Sequence, residues 1–225
     1  MNDVRERLRH QVPLLLPNPF VNHVTLDATQ KAKVAFMSLF VAPVRMLLVG
    51  MAVGMAYVVA SIALFELDVN GDVISGEVPL EAWRRKGRKL VSRLLVVAHQ
   101  VAGFNRIKIK GRRAKPSEAP IIVAAPHCSF FDALPVCVIG APSLVAKQEL
   151  LSTPFFGKLI ALSQPITVDR SDADSRRVTA QKIADRARHI QQHATRGGDE
   201  SLWPQVLIFP EGTCTNQSQI LTFKQ

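Results

Sequence analysis

Residues 121–132 read Ile-Ile-Val-Ala-Ala-Pro-His-Cys-Ser-Phe-Phe-Asp, and this stretch decides the fold class. The first five residues are β-branched or small and apolar, which is typical of a buried strand, and Pro126 ends the run. His127 and Asp132 follow directly. Polar side chains just after a strand are typical of α/β proteins, whose sites lie at the carboxyl ends of their strands.

Similar β-prone runs lie on both sides of this stretch. They are RIKIK at 106–110, SLVA at 143–146, PITV at 165–168 and QVLIF at 205–209. Helical patterning separates them and is clearest at 176–194, where apolar residues recur every three to five positions. This alternation predicts an α/β fold, a mixed sheet flanked by helices, which we assign to residues 106–225.

An uncharged run precedes that domain. Residues 46–65 form twenty consecutive uncharged positions, equivalent to about 30 Å of helix, which is enough to cross the hydrocarbon of a bilayer. A second uncharged run at 34–44 is separated from it only by Arg45. The whole is too long, and starts too far from Met1, for a cleaved signal peptide. After a basic segment at 1–33, we expect a membrane anchor at 34–65, either one tilted span or a re-entrant hairpin.

The net charge of +10 is concentrated in one patch. Twelve of the 28 Lys and Arg residues lie between positions 84 and 115 without one acidic residue, leaving 16 basic against all 18 acidic residues elsewhere. Such a patch suits nucleic acid, anionic lipid or a phosphorylated small molecule. The neighbouring apolar run favours the membrane, and the lack of interleaved aromatic residues predicts no nucleic-acid partner.

Residues 66–105 contain a linker and a basic amphipathic helix. Its apolar residues at 90–101 follow helical spacing. The helix either packs on the core with a solvated basic face or lies on anionic lipid, and the sequence leaves both alternatives open.

Composition excludes several classes of protein. With 48% apolar residues and 20% charged residues the chain is not disordered. Cys128, Cys137 and Cys214 form neither a disulfide framework nor a zinc ribbon. No metal site is expected, because His189 and His193 lie beside basic residues on their helix and no carboxylate completes a ligand set.

His127 and Asp132 form the first candidate catalytic pair. Five residues of regular helix would leave the two side chains about 140° apart, so the intervening chain must turn if they meet. With His127 in a loop and Asp132 in the first turn of the next helix, the carboxylate can accept the Nδ1 proton. Nε2 is then left as a base.

The stretch 209–216, Phe-Pro-Glu-Gly-Thr-Cys-Thr-Asn, follows another predicted strand and offers a carboxylate, a glycine and hydroxyl groups. HCSFFD and FPEGTCTN together resemble the motifs of the glycerophospholipid acyltransferases, and the EGTC form is most similar to the lysophosphatidylcholine acyltransferase branch. The blocks at 147–157 and 164–170 resemble intermediate motifs of that family, so the resemblance covers about residues 100–225.

The resemblance implies acyl-CoA-dependent O-acylation of a lysoglycerophospholipid, with lysophosphatidylcholine the favoured acceptor. His127 would be the general base and Asp132 its orienting partner. The implied substrate-binding residues are Arg170, Glu211, Gly212, Thr213 and Lys147. Acyl-CoA would be a co-substrate, with no cofactor or metal, and lysophospholipid and membrane lipids would be the partners. The implied location is the endoplasmic reticulum membrane, with the Golgi or lipid droplets as alternatives.

The sequence also departs from the family pattern. Ser163 and Gln164 replace the glycine-led start of the second motif, so we expect the acceptor to fit differently in detail. Only nine residues follow Asn216, where the family has a fourth motif. We therefore expect the α/β domain to be incomplete at its C-terminus and this chain alone to have low activity. The alternative function is a catalytically weak or inert short isoform that binds membrane lipid or regulates.

Hydrolases are less well supported. The thiols of Cys128 and Cys214 are possible nucleophiles, but Cys128 adjoins His127, and adjacent side chains rarely face one another. We expect both cysteines to be small residues in the wall of the site. The sequence has no GxSxG elbow, which argues against a serine lipase.

Overall fold

The N-terminal part of the computed structural model is one long helix, α1 (Ala28–Ala63), of 36 residues. The structure describes residues 18–22, 24–68, 71–168, 174–196, 202–218, 221 and 223. Asp27 and Gln30 form a capping box at the start of α1, each side chain bonding the backbone N–H of the other. By length and composition α1 could cross a membrane, and no hairpin turn interrupts it.

A single π-helical turn, Met37–Val41, lies within α1. Pro43 follows it and has no backbone N–H to donate, so the regular hydrogen-bond ladder is broken at this point. The backbone N–H of Ala42 instead reaches the carbonyl of Met37, five residues back, which widens the helix locally.

The second half of α1 packs against α3 (Ala82–Ala102). The face in contact is a row of buried alanines spaced three or four residues apart: Ala52, Ala56, Ala60 and Ala63. Gly87 of α3 lies opposite, and a Cβ atom there would come within 3.1 Å of the Ala63 Cβ. The two helices therefore approach closely because both present small residues. This contact continues into a core that includes Leu80, Val91 and Leu162.

Arg84 of α3 holds the C-terminal end of α1. Its Nη1 donates to the carbonyl oxygens of Ala63 at 2.6 Å and Phe65 at 3.1 Å. A cation at the carboxyl end of a helix satisfies free carbonyls and complements the helix dipole. A single turn of helix, α2 (Asp72–Ser75), lies between α1 and α3.

The described residues of the remainder form an α/β unit with four short parallel strands. The strands are β1 (Ile121–Val123), β2 (Ser143–Lys147), β3 (Ile166–Val168) and β4 (Val206–Ile208), in the order β1-β4-β2-β3. The intervening helices are α4 (Ala133–Val138), α5 (Phe156–Ala161) and α6 (Ser175–Thr195). The expected α/β class, with a preceding apolar helix, is confirmed, and all pairings among the described strands are parallel.

One predicted strand was wrong. Residues 106–110 are not in a strand, and all five are exposed. The alternating pattern of RIKIK suits a half-buried strand, but the apolar side of this segment has no sheet to cover it, since Ile109 is 71% exposed.

Among the described residues, three arginines on helices are buried and not solvated. Arg84 and Arg88 lie on the buried side of α3, whereas both alternatives left open by the sequence had the basic face of this helix at the surface, against water or anionic lipid. Arg186 of α6 is 5% exposed, and it donates to the Ser143 hydroxyl at 3.0 Å and to the Ser75 carbonyl at 2.6 Å. Burial lowers the pKa of Arg186 to about 10, which leaves it charged at neutral pH.

Candidate active site

Two adjacent strands bring the candidate residues together. β1 and β4 pair in parallel with Val123 opposite Ile208, so the loops that follow them leave the sheet at the same edge. The backbone N–H of Ala124 still bonds the carbonyl of Ile208, at 2.9 Å. His127 follows β1 by four residues and Glu211 follows β4 by three, and both therefore reach one place.

The chain turns between His127 and Asp132 as the sequence predicts. A 3-10 turn, Phe130–Asp132, leads directly into α4. Nδ1 of His127 lies 2.6 Å from Oδ2 of Asp132. Because the carboxylate can only accept, this contact places the imidazole proton on Nδ1 and leaves the lone pair on Nε2.

The Asp132 carboxylate is held by more than the imidazole. Its Oδ2 also accepts the backbone N–H groups of Cys128 at 2.7 Å and Ser129 at 3.1 Å, and its Oδ1 accepts the Cys128 thiol at 3.3 Å. Burial raises the pKa of Asp132, but these bonds from Ser129, Cys128 and His127 together outweigh it, so the pKa lies below its ordinary value of 3.8. The carboxylate is thus ionised at neutral pH.

The loop after β4 fixes the other side of His127. The ring of Phe209 stacks on the imidazole with centroids 4.4 Å apart. Oε2 of Glu211, whose side chain is buried, accepts the backbone N–H of His127 at 3.4 Å. The backbone N–H of Thr215 donates to the His127 carbonyl at 2.9 Å. The histidine is therefore held by its ring, its N–H and its C=O, while its side chain remains 23% exposed.

Gly212 and Thr213 complete this turn. Gly212 has a φ of +63°, which favours glycine, and its N–H donates to the Phe209 carbonyl. Thr213 is half-buried beside it. Among the described residues no acceptor contacts the backbone N–H groups of Thr213 or Cys214. The N–H groups of Cys128 and Ser129, in contrast, donate to Asp132.

The Cys214 thiol faces the free nitrogen of the imidazole. Its Sγ lies 3.4 Å from Nε2 of His127. Burial raises the pKa of Cys214, and the nearby Asp132, Cys128 and Glu211 raise it further, so the thiol stays protonated. Cys214 was expected in the wall of the site, and the structure places it over the atom that would act as the base.

One predicted substrate-binding residue that the structure describes is not part of this cluster. Lys147 ends β2, in register with Val168 of β3, and its exposed side chain contacts none of the residues described around His127. Arg170 lies outside the described residues. The structure therefore unites His127, Asp132, Glu211, Gly212 and Thr213.

The departure from the family motif at Gln164 has a structural explanation. It has a φ of +53°, in the left-handed region that favours glycine, and it is fully buried. Its Nε2 donates to the carbonyls of Val73 at 2.5 Å and Val78 at 3.0 Å, and these bonds offset the unfavourable backbone conformation. The side chain thus supports the α2 region and does not point to the His127 cluster.

Asn216 was missed as a structural residue. Its Nδ2 donates to the carbonyls of Asn18 at 2.9 Å and Val21 at 2.6 Å, and its backbone N–H donates to the Pro19 carbonyl at 2.7 Å. It therefore anchors the segment before α1 onto the loop that holds His127. The only signal in the sequence was an asparagine, a residue rich in donors, at the end of the FPEGTCTN stretch.

Comparisons of the sequence with a family model and with known proteins gave clear matches. The family model described as "Acyltransferase" matches residues 106–225. Lysophosphatidylcholine acyltransferase 1 of Rattus norvegicus is 40% identical over 207 residues, covering 92% of this chain and 36% of the relative. Lysophosphatidylcholine acyltransferase 2 of Mus musculus is 39% identical over 212 residues, covering 94% and 36%. This chain thus spans little more than a third of the relatives' length. No solved structure gave a significant match.

Proposed function

This chain belongs to the acyltransferase family, and from that premise we propose that it transfers the acyl group of acyl-CoA to the free hydroxyl of a lysoglycerophospholipid, with lysophosphatidylcholine the favoured acceptor. The observation that carries the proposal is the oriented imidazole: Nδ1 of His127 is bonded to Asp132, and Nε2 faces a partly exposed site. The names of the relatives support the choice of acceptor.

The reaction needs a base because a lipid hydroxyl is a poor nucleophile. Nε2 of His127 takes the hydroxyl proton as the oxygen attacks the thioester carbonyl. The tetrahedral intermediate then collapses and its C–S bond breaks. The CoA sulfur takes the proton from Nε2 and leaves as the free thiol. Asp132 stabilises the imidazolium between these steps and keeps the ring in one tautomer.

The oxyanion of the intermediate needs N–H donors. The amides of Thr213 and Cys214 are the best candidates, since both have no acceptor among the described residues and adjoin the Cys214 thiol that faces Nε2. The hydroxyl of the acceptor has to take the position that the Cys214 sulfur holds in the structure.

The membrane placement of the reaction is also a proposal. Helix α1 could span a bilayer, and the relatives' names refer to a lipid acceptor. We expect the endoplasmic reticulum membrane. Imaging of a tagged chain against markers for that membrane, the Golgi and lipid droplets tests this location.

The central experiment is an acyl-transfer assay in membranes carrying the chain. Labelled acyl-CoA is supplied with a panel of lysophospholipids, and product is compared between the parent chain, His127→Ala and His189→Ala, an exposed histidine on α6. We expect His127→Ala to lower product formation by at least about 10²-fold and His189→Ala to have no effect. Equal product from the parent and His127→Ala refutes the proposal, and lipid binding without product in the parent supports the inert alternative.

A further inference from the structure

A concave surface lies away from the His127 cluster. It is a groove of about 750 Å³ between the first half of α1 and the loop that precedes α5. Residues of α1 from Lys33 to Val53 form one wall, and Phe155, Phe156 and Ala102 form the other. The size lies in the range of ligand sites, roughly 300–1,000 Å³. His127, Asp132 and Glu211 do not line it.

The sequence builds both walls of this groove. The π-helical turn lies in the α1 wall, and Gly50 leaves open space, since a Cβ atom there would meet nothing within 4 Å. On the other side Phe155 has a φ of +68°, an uncommon conformation for a bulky residue. Its ring stacks on Tyr57 of α1 at 4.7 Å, which fixes the aromatic wall against the helix.

The charge of the lining has one sign. Among the described residues that line it, Lys33 and Arg45 are the only charged ones, and the others are apolar or uncharged. Arg45 is half-buried, and among the described residues no hydrogen-bond or ion-pair partner contacts it. A guanidinium beside an apolar groove is suited to a phosphate that is attached to a hydrocarbon chain.

Access to the groove is from the side of the apolar helix. Val34 and Met46 both line it and are 49% and 73% exposed. A ligand from the bilayer can therefore enter sideways along α1. A helix from a second copy is a poorer occupant, because α1 contains no Asp or Glu from residue 28 to 63 and would add cations without neutralising Arg45.

We propose that this groove binds one anionic glycerophospholipid of the bilayer, with an acyl chain along the apolar walls and its acidic headgroup on Arg45. The lipid is not the acyl acceptor of the His127 site. It fills the space between α1 and the Phe155 loop and so ties the membrane helix to the α/β unit. This inference does not depend on the proposed acyl transfer.

Two glycines give a matched test of the groove. Gly50 lines it, whereas Gly54, one turn further along α1, does not, and a Cβ atom at either position would meet nothing within 4 Å. Gly50→Leu therefore fills the groove, and Gly54→Leu makes the same chemical change outside it. For charge, Arg45→Gln is compared with Lys31→Gln, which removes a cation of α1 outside the groove.

The measurement is equilibrium binding of fluorescent phosphatidic acid and phosphatidylcholine, with identical chains, to the full chain in detergent micelles. We expect the parent to prefer phosphatidic acid by about tenfold, as a charge-assisted phosphate contact would give. Arg45→Gln should remove this preference, and Gly50→Leu should weaken the binding of both lipids. The controls Lys31→Gln and Gly54→Leu should bind both lipids as the parent does.

Several outcomes overturn the proposal. They are equal binding of the two lipids by the parent, unchanged binding by Gly50→Leu, and displacement of the probe by palmitoyl-CoA, which would assign the groove to the acyl donor. A dimer that dissociates in Gly50→Leu would assign it to a second copy. Should Gly50→Leu fail to fold, as judged by its thermal unfolding, the comparison of Arg45→Gln with Lys31→Gln decides alone.

Discussion

The sulfur of Cys214 lies 3.4 Å from Nε2 of His127, whose other ring nitrogen is bonded to Asp132. This is the arrangement of a thiol nucleophile with its base, yet the site does not favour a thiolate. Burial comes first among the causes that raise the pKa of Cys214, followed by the nearby carboxylate of Asp132.

We therefore predict that Cys214→Ala forms product at a rate close to that of the parent chain, because in the proposed reaction a lipid hydroxyl takes the place of the thiol beside Nε2. The measurement is initial rate with saturating acyl-CoA. Loss of turnover in Cys214→Ala, together with an acyl group found on Cys214 of the parent by mass spectrometry, would instead establish a covalent route.

Asp132→Asn is expected to lower kcat by about 10²–10⁴-fold, because the amide no longer fixes the Nδ1 tautomer or stabilises the imidazolium. The KM for the lysophospholipid should change little if Asp132 acts through the histidine. Asp185→Asn, which removes an exposed carboxylate from α6, is the control and should leave both constants unchanged. A fall confined to KM would contradict the positioning role.

Asp132 should also contribute to stability in a pH-dependent manner. Its pKa is lower in the folded chain than the ordinary value of 3.8, so its contribution is present above about pH 4 and is lost as pH falls through the folded pKa. Urea unfolding from pH 6 to pH 3 should show a smaller loss of stability on acidification in Asp132→Asn than in the parent. Parallel curves for the two chains would exclude this contribution.

Gly87→Val should destabilise the chain by about 1–3 kcal/mol, because the new side chain meets Ala63 where α1 and α3 are closest. Gly54→Val makes the same substitution in a helix where a Cβ atom has open space, and it should have a much smaller effect. Thermal unfolding in detergent compares them. Equal shifts in Tm would mean that the α1–α3 contact tolerates the larger side chain.

Asn216→Asp should release the segment before α1, because a carboxylate cannot donate to the carbonyls of Asn18 and Val21. Hydrogen exchange at the amides of Phe20 and Val21 should become faster. Turnover should fall as well, since the adjoining Thr215 amide holds His127. Gln217→Glu adds the same charge one residue away and should change neither measurement.

Local features of the sequence predicted much of this structure. Four of the five predicted strands are present. Their short apolar runs are typical of strands buried in a sheet. The pairing of His127 with Asp132 could also be inferred, because five residues of chain limit where the two side chains can meet. The strand predicted at 106–110 was wrong because the alternating pattern carries no information on whether a neighbouring strand exists.

Contacts between distant segments were beyond such reasoning. Arg186 has the spacing of a residue on the polar face of α6, and its burial depends on Ser75 and Ser143, which lie far away in sequence. The bonds from Asn216 to Asn18 and Val21 span nearly the whole chain. The Cys214 contact with His127 arises only because β1 and β4 are neighbours in the sheet.

The Asn216 anchor limits how far the loop that holds His127 can lie from the start of α1. Only six residues, 22–27, connect the anchored segment to the first residue of α1, and fully extended they reach about 20 Å. The loop that carries His127 is therefore joined by a short segment to the end of α1 that bears Lys31 and Lys33. In the proposed reaction, this short connection keeps the base near the basic end of the membrane helix.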